Sequence, residues 1–256
     1  MQKLVKQRIK LINFYLGSLI LLGLLLNLWV HRFYDQSWTV AEWLINYSGG
    51  FLRRGLIGSL IYNFSSVTRI NPIILVQLIS LIAFFIFFNL LKYCRKYFST
   101  TFFLSPIVGL FPILGQTLIR KDVFQITMYG LCTLIIIKRK SFKLFFLINS
   151  IAIISILNHE SFVFFAIPSL VILHILSDFK IQKNTTIIFL FKKALLFLSP
   201  SLIISCLVFY YHGSPEQAFD IHYSWQNLSN ILPSQGKLQD YEPSGAIISI
   251  GRDFSY

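Results

Sequence analysis

Residues 72–91 read "PIILVQLISLIAFFIFFNLL" and contain no Asp, Glu, Lys or Arg. An α-helix needs about 20 such apolar residues to cross the hydrocarbon core of a bilayer. Of the 256 residues in the chain, 55% are hydrophobic and only 13% are charged, which is about half the charged share of a typical soluble domain. We therefore predict an all-α fold, a polytopic bundle of transmembrane helices.

Further apolar runs along the chain bring the predicted number of spans to about seven. They cover residues 11–30, 102–119, 123–137, 144–157, 162–176 and 194–211. The basic residues ahead of the first run resemble the start of a signal peptide. However, that run is too long for a typical signal peptide, and no small-x-small cleavage site ends it. We expect an uncleaved first helix.

The positions of the Lys and Arg residues predict the topology. With a cytoplasmic N-terminus, the inside segments are 1–10, 92–101, 138–143 and 177–193. These segments hold 15 of the 23 Lys and Arg residues, in agreement with the positive-inside rule. The net charge of +13 therefore lies in short clusters between spans and not along one polar face. This pattern argues against a nucleic-acid partner and for the lipid bilayer as partner.

The chain divides into two regions by composition. Residues 1–211 are predicted to form the transmembrane bundle, with a long outer loop at 31–71. Residues 212–256 contain three of the prolines and several acids, which predicts an extracytoplasmic loop or the start of a cap. The apolar piece "AIISI" in this tail is too short to span a membrane. The chain stops soon after it, which leaves open that later helices are missing from it.

The outer loop combines aromatic, glycine and arginine residues. "DQSWTVAEWLINY", residues 35–47, is typical of an interfacial helix that lies in the plane of the membrane surface. Gly49 and Gly50 allow a sharp turn, and a second helix is predicted from Phe51. Arg53 and Arg54 then lie in its first turn, where the helix N-terminus attracts anions and arginine pairs with phosphate. Alternatively, both arginines contact lipid head groups or pair with acids such as Glu42.

Two short polar turns lie on the same predicted side of the membrane. In "RKD", Arg120 and Lys121 are candidates to bind a phosphate, and Asp122 is a candidate to orient one of them or to act as a base. The alternative is a solvated turn with an internal ion pair. In "NHE", His159 and Glu160 are suited to handle a proton or a divalent cation. They lack the spacing of metal ligands, so no metal site or cofactor is predicted, and a divalent cation stays open.

The order of these features resembles the GT-C class of integral membrane glycosyltransferases. "YSGGFLRRGLIG", residues 47–58, is also similar to a segment of uncharacterised bacterial membrane proteins near surface-polysaccharide genes, with "RKD" and "NHE" as its companions. The resemblance implies transfer of a sugar from a polyprenyl-phosphate donor to a glycan acceptor, on the extracytoplasmic face of the bacterial inner membrane. It also implies a catalytic base among the first acids after helix one, which here are Asp35, in "HRFYDQSW", and then Glu42.

The candidate site residues fall into two groups. The catalytic candidates are Asp35, Asp122 and Glu160. The candidates for binding the donor phosphate are Gly49, Gly50, Arg53, Arg54, Arg120, Lys121 and His159. Other functions stay open at this point: a transporter or flippase, a polymerase component that handles lipid-linked oligosaccharide, and a non-catalytic membrane subunit.

Overall fold

The fold of the chain is given by a computed structural model, which describes residues 7, 9–15, 17–18, 21–22, 25–26, 38–94, 119–138, 143–179, 186–234 and 236–251. The described α-helices from residue 38 onward are α1 (Trp38–Trp43), α2 (Gly55–Thr68), α3 (Pro72–Cys94), α4 (Lys121–Lys138), α5 (Lys143–Asn158), α6 (Ser161–Phe179), α7 (Ile187–Phe197), α8 (Ser199–Tyr210) and α9 (Pro215–Gln226). Two 3-10 helices follow, Lys237–Gln239 and Gly245–Gly251. Because no β-strand occurs among the described residues, the predicted all-helical class is confirmed for them.

Two helices in the described part of the chain are long and apolar enough to cross a membrane, Pro72–Tyr93 and Ser161–Phe179. The pair α7 and α8 is a third candidate if it counts as one span, although it bends by 64° at the break between its helices. Pro200 lies in the first turn of α8, where it has no N–H to continue the hydrogen bonding of α7. The described residues thus form a helical protein with two or three candidate spans, against the five of the seven predicted spans that these residues cover.

The other predicted spans have different outcomes. The predicted spans 123–137 and 144–157 coincide with α4 and α5, which are helices but do not qualify as full spans by length and composition. The predicted span 102–119 lies outside the described residues except at its last position, and 11–30 is described only at scattered helical positions.

Helix α1 (Trp38–Trp43) is buried inside the protein, which corrects, for these residues, the prediction that 35–47 form an interfacial helix. Every α1 residue after Trp38 is buried, whereas Trp38 is 53% exposed. The indole N–H of Trp43 donates to the carbonyl of Ile119. Helix α1 packs against α3, α4 and the 3-10 helix Gly245–Gly251. The pattern was misread because elements distant in sequence cover the side that was expected to face lipid.

The C-terminal tail packs on the outer loop. The indole N–H of Trp225 donates to the carbonyl of Leu44 at 2.8 Å, and the Gln217 amide donates to the carbonyl of Gly49 at 3.0 Å. The piece "AIISI" lies in the 3-10 helix Gly245–Gly251, which contacts both α1 and α9. The tail and the outer loop therefore share one hydrophobic core.

A second core fills the space between α4, α5, α6, α7 and α8. One polar network crosses it: the Ser201 hydroxyl donates to Oδ1 of Asn149 at 2.7 Å, and the amide of Asn149 donates to the carbonyl of Phe197 at 3.0 Å. Because buried polar groups must be hydrogen-bonded, this network fixes α5 relative to the break between α7 and α8.

Candidate functional site: a buried polar cluster

One cluster of charged side chains joins three short polar segments that are far apart in the sequence. We call Glu42, Arg53, Arg54, Lys121, His159 and Glu160 the polar cluster. The two arginines lie in the turn before α2, and Lys121 is the first residue of α4. His159 and Glu160 form the turn between α5 and α6. Glu42 lies in α1. Glu160 directly precedes the candidate span Ser161–Phe179, so the polar cluster lies at one end of that span.

The arginine pair precedes helix α2, which corrects the prediction that both arginines lie in a first helical turn. Helix α2 begins at Gly55 and not at Phe51, and Arg54 is its N-cap with φ 66°. This left-handed conformation costs a non-glycine residue about 1–3 kcal/mol. The N–H of Arg53 is held by the carbonyl of Tyr211, at 3.1 Å. The turn that starts at Gly50 (φ 104°) thus continues to Arg54 before the helix can form.

The guanidinium of Arg54 bridges two buried carboxylates. Its Nε donates to Oε2 and Oε1 of Glu160 at 2.8 and 3.0 Å, and its Nη2 also donates to Oε1. Its Nη1 donates to Oε1 of Glu42 at 3.3 Å. Burial by itself would raise the pKa of Glu160, but the hydrogen bonds and the positive charge of Arg54 lower it to about 2. Glu160 is therefore fully ionised at neutral pH and is a weak base.

Arg53 approaches the same carboxylate from another direction. Its Nη1 lies 3.5 Å from Oε1 of Glu160, and its Nη2 lies 3.5 Å from the carbonyl oxygen of Ser249. The side chain of Arg53 is buried. Since Ser249 belongs to the 3-10 helix Gly245–Gly251, Arg53 connects the polar cluster to the C-terminal tail.

His159 orients the second carboxylate. The N–H of Ser161 donates to Nδ1 of His159 at 3.1 Å, so the hydrogen of a neutral ring lies on Nε2, which is 3.0 Å from Oε1 of Glu42. Burial would raise the pKa of Glu42. The hydrogen bond from His159, together with the charges of Lys121 and Arg54, lowers it to about 2. Glu42 is thus also ionised and also a weak base.

Lys121 is the most deeply buried charged side chain of the polar cluster, with 1% of its surface exposed. Its Nζ donates to the carbonyl of Asn158 at 2.9 Å and to the carbonyl of Arg54 at 3.3 Å. The ammonium also lies 5.7 Å from the ring centroid of Trp43, within the range of a cation–π contact. Burial lowers the pKa of Lys121 to about 7, so this lysine titrates near neutral pH.

The remaining sequence-predicted residues lie outside the polar cluster. Arg120 and Asp122 form a pair at 2.9 Å with side chains that are 50% and 45% exposed, which is the internal ion pair that the sequence left open as an alternative. Gly49 and Gly50 line the contact with α9, where a Cβ on Gly49 would lie 2.9 Å from the Cα of Gln217. Asp35 lies outside the described residues.

Two buried amide side chains beside the polar cluster were given no role by the sequence analysis, although Asn158 belongs to the "NHE" segment. Asn158 is fully buried, and neither its Oδ1 nor its Nδ2 has a hydrogen-bond partner among the described residues. Gln125 is also fully buried, and its amide donates to the carbonyl of Ser155 at 3.0 Å. The sequence is only weakly indicative of a role for these two residues, because an uncharged amide in an apolar helix is less unusual than a charged side chain.

The arrangement of the arginines is one that can recognise an anion. The guanidinium of Arg54 is held in one orientation by its hydrogen bonds to the carboxylates. A guanidinium with a fixed orientation favours bidentate pairing with a planar or tetrahedral anion. Within the described ranges, no group of three or more His, Cys, Asp or Glu side chains is placed to hold a metal ion. Both described carboxylates of the polar cluster are too acidic to accept a proton readily from a hydroxyl group.

A second ionic group lies near the other end of α6. Nδ1 of His174 lies 3.4 Å from Oδ2 of Asp178, and Nζ of Lys193 lies 3.3 Å from the same oxygen. The ring of His174 packs on that of Phe197 at a centroid distance of 4.5 Å. Ionisable side chains therefore lie at both ends of this candidate span, before its first residue and within its last turns.

No protein-family model, no curated protein and no solved structure matches the chain.

Proposed function

We propose that the protein is a membrane glycosyltransferase that takes a sugar from a polyprenyl-phosphate donor at the extracytoplasmic face of a bacterial inner membrane. One observation carries the proposal: three polar segments that are distant in sequence meet in one buried cluster of bases and carboxylates at the end of a candidate span. Buried groups with strongly shifted pKa values, such as Glu42, Lys121 and Glu160, are concentrated at functional sites. The resemblance to the GT-C class supplies the reaction, which belongs to surface-polysaccharide or glycan assembly.

The proposal assigns the donor phosphate to the arginines. Glu160 holds Arg54 in a fixed direction through several hydrogen bonds, so an arriving phosphate meets a guanidinium that is already oriented. Arg53 adds positive charge beside it, and Lys121, whose pKa is about 7, adds charge in its protonated form. A preorganised positive site stabilises the phosphate as it leaves the anomeric carbon. Glu160 thereby becomes a positioning residue in the proposal, and not a catalytic one.

The base that activates the acceptor hydroxyl is assigned to Asp35. Glu42 and Glu160 have pKa values of about 2, which makes them poor proton acceptors. Asp122 is half-exposed and paired with Arg120. In the step itself, Asp35 takes the proton of the acceptor hydroxyl, the acceptor oxygen bonds to the anomeric carbon, and the polyprenyl phosphate leaves with the electrons of the broken C–O bond.

The proposed topology keeps seven spans and a cytoplasmic N-terminus. In that arrangement the outer loop, the turn at 120–122, the turn at 158–160 and the C-terminal tail all lie outside. Their mutual packing supports the arrangement, because segments assigned to one side of the membrane can contact one another directly. The tail and the outer loop share a core, and Arg54 pairs with Glu160.

The test is a transfer assay on Asp35→Asn in proteoliposomes. The donors are a panel of undecaprenyl-phosphate-linked hexoses and pentoses, and the acceptor is glycan extracted from the producing cells. We expect the wild type to transfer one of the sugars and Asp35→Asn to lose transfer while its thermal unfolding temperature is unchanged. Glu242→Gln, an exposed acid in the tail, is the matched control and should transfer normally. Normal transfer by Asp35→Asn refutes the base assignment.

A second candidate function is a transporter or flippase for an anionic lipid-linked oligosaccharide. It is favoured by the ionic group of His174, Asp178 and Lys193 near the far end of α6, because a transporter needs charged residues along the path and not at one face alone. It predicts that a fluorescent lipid-linked oligosaccharide crosses proteoliposome membranes without sugar transfer. Asp178→Asn should slow this crossing, whereas Asp35→Asn should not.

A further inference from the structure

An aromatic cluster extends outward from the arginine turn. The rings of Tyr47 and Phe51 stack at a centroid distance of 5.5 Å, and the edge of Tyr211 meets Phe51 at 5.5 Å. Tyr210 adjoins Tyr211 at 4.9 Å. Phe51, Tyr210 and Tyr211 remain 41%, 74% and 46% exposed. The side chains touch one another and still present a large aromatic surface to the outside.

This aromatic surface continues an exposed apolar face of α8. Ile203 and Leu207 of α8 are exposed, and the helix ends at Tyr210, so the surface changes from aliphatic to aromatic where the helix ends. In membrane proteins, Tyr and Trp are enriched at the membrane–water interface, because their rings suit the boundary between hydrocarbon and water. In the same region, the backbone N–H of Arg53 donates to the carbonyl of Tyr211 at 3.1 Å.

The exposed aromatic surface differs from the other aromatic groups around the outer loop. Trp225 is fully buried, and the edge of its ring meets that of Tyr62 at 5.3 Å. Both rings are therefore used in folding the tail onto the loop. A contiguous exposed apolar surface on a protein usually marks a contact with a partner or a membrane, and here it is continuous with the face of a candidate span.

We infer that Phe51, Tyr210 and Tyr211 lie in the head-group layer of the bilayer and hold the arginine turn at the depth of the lipid phosphates. The inference rests on the proposed function for the identity of the substrate, and it adds the depth in the bilayer at which the arginine turn meets that substrate. The occupant of the aromatic surface is phospholipid. The short backbone link between Arg53 and Tyr211 sets the depth of the site relative to the end of α8.

The test measures depth by spin labelling. The three native cysteines, Cys94, Cys132 and Cys206, are replaced by alanine, and single labels are placed at Phe51→Cys and Tyr211→Cys in phosphatidylethanolamine–phosphatidylglycerol vesicles. Accessibility to oxygen relative to a nickel chelate reports the depth of each label. Ile203→Cys is the control for hydrocarbon, and Tyr241→Cys, at an exposed position in the tail, is the control for water.

We expect the labels at Phe51→Cys and Tyr211→Cys to give oxygen-to-nickel ratios between those of the two controls. Ratios equal to that of Tyr241→Cys would overturn the inference, as would protection of these two labels by a soluble oligosaccharide such as maltoheptaose, which would indicate a glycan platform. If Phe51→Cys does not fold, Tyr210→Cys replaces it, because its side chain is far more exposed. No sugar donor is used, so failure of glycosyl transfer leaves this result independent.

Discussion

Replacing Glu160 by Gln tests whether the polar cluster is held together by its charges. Gln keeps the size of the side chain and one acceptor oxygen, but it removes the negative charge between Arg53 and Arg54. The pKa of Glu160 is lowered from 4.5 to about 2, which at roughly 1.4 kcal/mol per unit corresponds to a stabilisation of about 3 kcal/mol. Breaking one partner of a buried ion pair costs a similar amount, about 3–5 kcal/mol.

We expect Glu160→Gln to lower the free energy of unfolding by about 3 kcal/mol, toward the lower end of that range, because Glu42 remains as a partner for Arg54. At roughly 2–4 °C per kcal/mol for a domain of this size, the thermal midpoint should fall by 6–12 °C. The measurement is the thermal unfolding of the purified protein in detergent, followed by the fluorescence of its tryptophans, at pH 7 and constant lipid content.

The matched control is Asp122→Asn, which removes a carboxylate charge from an ion pair of similar length, 2.9 Å, whose side chains are about half-exposed. Exposed pairs contribute about 0–1 kcal/mol, so this variant should change the midpoint little. The reasoning is refuted if both variants lower the midpoint equally, or if Glu160→Gln leaves it unchanged.

Three further predictions concern the same region. Glu42 and Glu160 have pKa values lowered to about 2, so the stability they supply is present above pH 4.5 and is lost as the pH falls toward 2; thermal midpoints of the double Gln variant should decline less over this range than those of the wild type. The pKa of Lys121 is lowered from 10.5 to about 7, so between pH 7 and pH 10.5 the unfolded chain binds more protons than the folded one. The free energy of unfolding should therefore rise with pH over this range. Chemical unfolding of the wild type should show this rise, and chemical unfolding of Lys121→Met should not. Gly49→Ala would place a Cβ 2.9 Å from the backbone of α9 and should cost about 1–3 kcal/mol, with faster proteolysis of the tail. Gly17→Ala, whose Cβ meets nothing within 4 Å, should leave that proteolysis rate unchanged.

The sequence predicted the helical class and the convergence of its polar turns, because both follow from patterns that are local. Apolar length identifies helices such as α3 and α6, and the scarcity of charge makes the segments "RKD" and "NHE" conspicuous. Because the turns that carry Arg54 and Glu160 were assigned to the same side of the membrane, the two residues were expected on the same face of the bundle. Their direct pairing was not predicted; Glu42 alone was named as a possible partner of the arginines.

The sequence could not predict which polar residues are buried, because burial depends on contacts between distant segments. Lys121 and Asp122 are adjacent in the chain, yet one is fully buried and the other is half-exposed. Helix α1 was assigned to the membrane surface because its covering partner, the 3-10 helix Gly245–Gly251, lies about 200 residues further along the chain. The start of α2 was placed four residues early because nothing in "FLRRG" reveals that Arg54 adopts a left-handed conformation.

The left-handed conformation of Arg54 is informative when it is compared with that of Arg69, which has the ordinary explanation of a helix end. Arg69 has φ 60° at the C-terminal end of α2, where its N–H bonds to the carbonyl of Ser65 at 2.9 Å, and helices commonly end in this way. Arg54 has φ 66° at the N-terminal end of the same helix, where a left-handed residue is not the usual cap. Its carbonyl is held by Lys121 and its guanidinium by Glu160, so contacts at both ends of the residue maintain the strained backbone. Since strain of this kind persists where the surroundings over-determine it and is concentrated at functional sites, the direction of the Arg54 side chain is the feature of the fold that most supports a binding role.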